Sequence, residues 1–81
     1  MNEKQAEILI SINETKNITE TARILKLTQP TISFHMKNME KEYGMKLFIH
    51  ASGKIILSEN GEILLHYAKR IIRLSQDARN V

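Results

Sequence analysis

The chain has 81 residues, a formal net charge of +3, 42% hydrophobic residues, three histidines and no cysteine. That length supports one small domain with a thin core, for which a partner or a second copy is a common remedy. The composition excludes a disulfide framework and a thiolate zinc site, and no apolar run approaches a membrane span. The histidines, at positions 35, 50 and 66, are too scattered for a local metal motif, so no metal or other cofactor is expected. Glu3, Lys4 and Glu7 stand where a secretory signal would need a basic start and an apolar run, which points to a soluble intracellular domain. Charge is uneven along the chain: residues 16–57 carry seven Lys/Arg against three acids, whereas residues 1–15 are net negative. A basic middle suits a polyanionic partner.

In chain order, Glu3 to Ile12 reads as a first helix on its apolar spacing (Ala6, Leu9, Ile10, Ile12), interrupted at Lys16-Asn17. Asn17 is placed as an N-cap with Glu20 three residues on, a capping-box variant opening a helix of about two turns with Ile18, Ala22 and Leu25 on one face. Thr28 caps a third helix, 28–43. Gln29 and Pro30 fall in its first turn, where a missing N–H costs nothing and the fixed φ of proline suits a helix start. Gly44 is the natural left-handed terminator. Two β-rich runs, KLFIH and KIILS, flank a Ser-Gly turn and predict a hairpin. Ser58 caps a last helix, 59–79, whose apolar residues cover roughly half its circumference. The fold class expected is mainly α: three helices, a β-hairpin wing and a long C-terminal helix, a winged helix-turn-helix.

Rotating helix 28–43 at 100° per residue puts Ile32, Met36, Met39 and Tyr43 on one stripe, a core face. Pro30, Phe34, Lys37, Asn38 and Lys41 lie opposite, flanked by Thr31 and Ser33. That mixture fits a recognition helix in a major groove, with cations for phosphates, short polar groups for base edges and apolar contact for thymine methyls. The plainer reading of Lys37 and Lys41 is a solvated face, and Phe34 could instead cover a loop or the hairpin.

The ordered set Ala22, Leu25, Thr28-Gln29-Pro30, Thr31, Ile32, Ser33, then Met39-Glu40, Gly44, Leu47-Phe48, the hairpin and Ser58-Glu59-Asn60-Gly61 resembles the N-terminal DNA-binding domain of LysR-type transcriptional regulators over nearly the whole chain. The resemblance implies residues 1–58 as a winged helix-turn-helix and 59–81 as a linker and dimerisation helix packed on it. It implies sequence-specific binding of double-stranded DNA at an inverted-repeat operator by a homodimer, in a bacterial cytoplasm and with the nucleoid when bound. Family members are longer and carry an effector domain that this chain lacks, so the chain is expected to be a truncated piece.

On the same resemblance, Gln29, Pro30, Thr31, Ser33 and Phe34 approach base edges, and Lys37 reaches phosphate or guanine, with Lys41 on the same face. Thr19 and Thr28, at helix N-termini, are suited to phosphate, capping alone being their alternative role. Gln29 could form a bidentate pair with adenine or simply hydrogen-bond the turn. Ser52, Gly53 and Lys54 form the wing tip, with Lys54 its backbone or minor-groove contact. Three departures stand out: His50 occupies the family's arginine position after Leu-Phe, Phe34 stands where a basic residue is common, and the wing offers only Lys54 where the family has arginines, so weaker wing contacts are expected. His50 is assigned to phosphate, and Phe34 to thymine methyl groups. His35 reads as packing and His66 as solvated.

Leu64, Ala68, Ile71, Ser75 and Ala78 recur at four-three spacing, which suits a helix–helix seam, and the resemblance implies that this helix pairs antiparallel with its twin; closing the protomer's own core is the other use of that face. There is no paired carboxylate, glycine-rich phosphate loop or nucleophile–base motif, so an enzyme is not expected. The remaining rival is a winged helix serving as a protein-interaction module with Phe34 as its anchor.

Overall fold

Each helix begins at a polar cap. In the computed structural model, which describes residues 1–81, α1 spans Glu3–Thr15, α2 Ile18–Leu25, α3 Gln29–Tyr43 and α4 Glu59–Arg79, with strands β1 (Phe48–Ala51) and β2 (Lys54–Leu57) before α4. The full capping box lies at α1: the Gln5 N–H donates to Asn2 Oδ1 at 2.8 Å, and the Asn2 N–H donates to Gln5 Oε1 at 3.1 Å. At α2 only half of the expected box forms. The Glu20 N–H donates to Asn17 Oδ1 at 2.8 Å, but the Glu20 carboxylate turns away to pair with Arg23. Thr28 and Ser58 cap α3 and α4, and Gly44 ends α3 at φ 65°.

α1, α2 and α3 pack together and α4 lies along α1. Ile8, Leu9, Ile12, Ile32, Met39 and Leu47 are fully enclosed between them. A polar link crosses this core: the buried Thr21 hydroxyl of α2 lies 2.9 Å from that of Thr15 and 3.4 Å from that of Ser11, so α2 is tied to α1 without leaving a buried hydroxyl unpaired. The α2–α3 connection is short. Lys26 takes the left-handed conformation (φ 58°) and the Leu27 N–H returns to the Ala22 carbonyl at 2.9 Å.

The hairpin is antiparallel, pairing Phe48 with Leu57, Ile49 with Ile56, His50 with Ile55 and Ala51 with Lys54. Ser52 and Gly53 both have positive φ (52° and 74°), as a type I′ turn requires. Two contacts tie its base to the helices: the Ile55 N–H donates to the Lys16 carbonyl at 3.0 Å, and the Ser58 hydroxyl to the Lys46 carbonyl at 2.6 Å. No helix is long and apolar enough to cross a membrane.

The packing of α4 on α1 changes the expected seam. Ala68 is completely enclosed within the protomer, and Ser75 Oγ donates to Glu3 Oε1 of α1 at 2.9 Å. Both belong to the intramolecular face, because the small side chain at position 68 lets the two helices approach. Leu64 and Ile71 are half-buried and Ala78 is exposed. The large apolar side chains left open on α4 are Ile63, Tyr67 and Leu74.

Candidate nucleic-acid interface

First-turn residues of α2 and α3 bring two helix starts to one surface. Gln29 Nε2 donates to Thr19 Oγ1 at 2.6 Å, linking the first turn of α3 to that of α2. Helix N-termini present backbone N–H groups without intrahelical partners, an arrangement suited to anions. Thr28 is engaged as the cap: its hydroxyl accepts the Thr31 N–H at 3.3 Å and lies 2.9 Å from the Thr31 hydroxyl. Of the pair, Thr19 therefore orients Gln29, while Thr28 and Thr31 hold each other.

Along α3, the side opposite the buried Ile32, Met36 and Met39 exposes Pro30, Phe34, Lys37, Asn38 and Lys41, with Thr31 and Ser33 half-buried at its margins. Phe34 is 61% exposed. Its ring meets the neighbouring His35 edge-on, with centroids 5.9 Å apart and planes at 70°. His35 is half-buried and its Nδ1 is enclosed without a hydrogen-bond partner. Phe34 does not cover the hairpin or a loop; it stands on the outer side of the helix.

The wing stands beside this face. His50 is opposite Ile55 in the register, and Ile55 is buried, so His50 shares the inward face of the hairpin. Between wing and α3 lies a cleft of about 330 Å³ lined by Ile18, Ser33, Met36, Lys37, Glu40, Lys46, Phe48 and His50. Ser52, Gly53 and Lys54 are exposed at the tip, and Lys41 sits one turn beyond Lys37, outside the cleft.

Two residues of this site are not obvious from the sequence. Glu40 accepts the N–H groups of Leu47 and Phe48 on one carboxylate oxygen (2.9 and 3.3 Å), and its other oxygen is 4.0 Å from Lys46 Nζ. It fixes the start of β1 relative to α3. Lys46 becomes a cleft residue because that carboxylate holds its segment in place. The only available signal was position: an acid four residues before the terminating glycine and a cation two residues after it.

The electrostatics favour an anion here. Arg23 is tied up by Glu20: the hydrogen bond and then the charge of Arg23 hold that carboxyl below the usual range, while the reciprocal pair raises the guanidinium. Lys37, Lys41 and Lys54 remain without an acidic partner. A second, shallower hollow of about 220 Å³ lies between α1, α2 and α4, with apolar walls and Glu7 and Glu14 at its rim. Its charge is wrong for a polyanion. No group of three or more His, Asp or Glu residues is placed to hold a metal ion.

A family model described as "Bacterial regulatory helix-turn-helix protein, lysR family" matches residues 4–62. The chain is 37% identical over 76 residues to the uncharacterized HTH-type transcriptional regulator YxjO of Bacillus subtilis, covering 94% of this chain and 26% of that protein. It is 36% identical over 75 residues to the HTH-type transcriptional regulator CfxR of Cupriavidus necator, covering 93% and 24% respectively. The chain thus spans about a quarter of the length of these relatives. Among solved structures it is similar to the DNA-binding domain of CbnR in complex with DNA, at TM-score 0.90 and 28% identity over 99% of this chain and 92% of that one. It is also similar to OxyR of Corynebacterium glutamicum, at TM-score 0.92 and 25% identity over 98% of this chain and 26% of that one.

Proposed function

Because the chain belongs to the lysR family of bacterial regulatory helix-turn-helix proteins, we propose that it reads double-stranded DNA as the regulator's DNA-binding domain, with α3 in the major groove and the wing beside the backbone or minor groove. The single observation that carries the reading is the basic cleft between α3 and the wing, to which α3 brings Ser33 and Lys37, the wing side Lys46 and His50, and α2 its first residue, Ile18. The similarity to the CbnR domain, which is solved in complex with DNA, supports the same docking. It is a binding domain of a transcription regulator and not an enzyme.

Gln29, Pro30, Thr31, Ser33 and Phe34 face the base edges, and Lys37 and Lys41 the phosphates. Phe34 places apolar surface where a thymine methyl group would lie. Gln29 already donates to Thr19 through Nε2, which leaves its Oε1 to accept from an adenine amino group. His50 and Lys54 serve the backbone on the wing side.

The dimer forms through α4. Leu64, Tyr67, Ile71, Leu74 and Ala78 recur at three-four spacing on a stripe that adjoins the Ala68 face and opens outward at Tyr67 and Leu74, flanked by Ile63, and suit an antiparallel helix seam. A two-fold axis through that seam sets two recognition helices on an inverted repeat. The setting is a bacterial cytoplasm, with the nucleoid when bound.

Selection of bound sequences from a random duplex pool tests the reading. Enrichment of an inverted repeat with half-sites about one helical turn apart is expected, with affinity that falls steeply as salt rises. No enrichment, or binding indifferent to salt, would instead favour a protein-interaction module anchored by Phe34.

A further inference from the structure

We propose that the hollow between α1, α2 and α4 is a docking site for a protein partner that presents a cationic amphipathic helix, one side apolar and its margins lysine or arginine. The site lies apart from α3 and the wing, so it goes beyond the DNA-binding reading and does not depend on it.

The sequence of α1 builds one wall. At 100° per residue Glu3, Glu7, Ile10 and Glu14 fall within about 60° of one another, on the side away from the enclosed Ile8, Leu9 and Ile12. Glu3 is already held by Ser75 and Arg79. Glu7 meets Lys4 at 3.2 Å, an exposed pair that exchanges readily for another cation, and Glu14 has no cationic partner. Glu7 and Glu14 thus stand at the rim with Ile10 between them.

α2 and α4 supply the other walls. Ile24, 47% exposed, joins Leu25 and Ile72 around about 220 Å³, the volume of about seven liquid waters and enough for one or two aliphatic side chains. Ser11 is the one neutral polar residue there, and its hydroxyl is buried 3.4 Å from that of Thr21. Recognition inside the hollow is therefore apolar, and recognition at its rim is electrostatic. Ile24 stands five residues after Thr19, about 140° around α2 from it. The hollow shares no residue with the cleft between α3 and the wing. A partner seated here leaves the α3 face open.

Charge selects the occupant. The chain carries +3 overall, yet residues 1–15 hold Glu3, Glu7 and Glu14 against Lys4 alone. A cationic segment is repelled by Lys37, Lys41 and Lys54, which have no acidic partner, and is drawn to α1. All three walls are helices, whose backbone groups are paired within the helix, so the hollow offers no strand edge to extend. A helix pairs its own backbone and projects apolar side chains at i, i+3, i+4 and i+7, which is the form that fits a groove between helices.

The test is an NMR titration of the isotope-labelled full chain with a synthetic helical peptide carrying Leu at i, i+3, i+4 and i+7 and Lys on both margins. A second peptide has Glu in place of every Lys. The Lys peptide is expected to shift the methyl signals of Ile10, Ile24, Leu25 and Ile72 saturably and to leave the amides of Ser33, Phe34 and Lys37 in place. The Glu peptide should bind at least about tenfold more weakly. Glu14→Lys should weaken the Lys peptide about fivefold and Ile24→Lys about tenfold, each in a chain whose remaining signals are unmoved. Asp77→Lys, which reverses an exposed acid of α4 outside the hollow, should bind as the wild type does. Equal affinity for the two peptides, shifts centred on Phe34, or an Asp77→Lys loss as large as that of Glu14→Lys overturns the proposal. No saturable shift up to about 1 mM Lys peptide also overturns it. So does movement of the same methyl signals when the chain alone is concentrated, which would give the hollow to a second copy.

Discussion

The carboxylate of Glu40, near the end of α3, accepts the backbone N–H of Leu47 at 2.9 Å, and through this contact α3 sets where the wing begins. The same oxygen also accepts from Phe48 at 3.3 Å. Replacing Glu40 with Ala leaves two N–H groups at the start of β1 without their acceptor. A stability loss of about 1.5–3 kcal/mol is expected for hydrogen bonds to a charged group, read as a lower urea midpoint. Glu40→Gln, whose amide oxygen can still accept, should lose less. Equal stability of Glu40→Ala and wild type would refute this role.

Gly61 shows the opposite kind of constraint. It lies in the first turn of α4, where helix propensity alone favours alanine by about 1 kcal/mol. Yet a Cβ there would lie 2.3 Å from the Leu47 carbonyl oxygen and 3.2 Å from the Leu57 Cβ. That oxygen also accepts the Ser58 N–H at 2.9 Å, so it cannot move without breaking the junction between wing and helix. Gly61→Ala is expected to destabilise by about 1–3 kcal/mol, the scale of an overpacked site. An unchanged or higher melting temperature would show that the junction yields more readily than the geometry implies.

The two sides of α4 should respond differently to substitution. Leu74 is 65% exposed and Ala68 is 0% exposed. Leu74→Lys should leave the protomer folded but shift it to monomer in analytical ultracentrifugation. Ala68→Leu should instead disturb the α1–α4 packing and lower the melting temperature, at a cost of about 1–3 kcal/mol. Dimers that persist in both Leu74→Lys and Tyr67→Lys would place the interface elsewhere.

Tyr43 supplies a pH test. Burial, and then the charge of Glu42 and its hydrogen bond, push the phenol above its ordinary value of 10.0. The unfolded chain therefore gives up this proton first as pH rises. The contribution of neutral Tyr43 is complete below about pH 10 and is lost as pH climbs through the raised folded-state value. Tyr43→Phe should lose less stability than wild type from about pH 10 to 11.5, above the ordinary value of a phenol. Parallel urea midpoints for the two proteins across that window would remove the effect.

The helix ends were readable because they depend on neighbours in sequence. Asn17, Thr28 and Ser58 each accept the backbone N–H three residues on, and Gly44 takes a left-handed conformation. These are local hydrogen bonds and a local torsion, and the Ser52-Gly53 turn belongs with them. The outer face of α3 was readable for a related reason: a regular helix with one buried stripe leaves its opposite side exposed, and Phe34 and Lys37 stand there. Glu40 and Lys46 were not readable, since their roles depend on a strand returning beside the helix that carries Glu40. The capping box at Asn2–Gln5 was overlooked although its signal is local.

By itself, then, the sequence determined the order of elements, their polar starts and stops and the exposed face of α3, all governed by interactions within a few residues or by one helical period. The phase of α4 was decided only by tertiary structure. Its apolar residues cover about half the helix circumference, so periodicity cannot say which half meets α1. Ala68 and Gly61 settle it: small side chains permit close approach, α1 and the Leu47 carbonyl take that side, and Tyr67 and Leu74 are left facing outward.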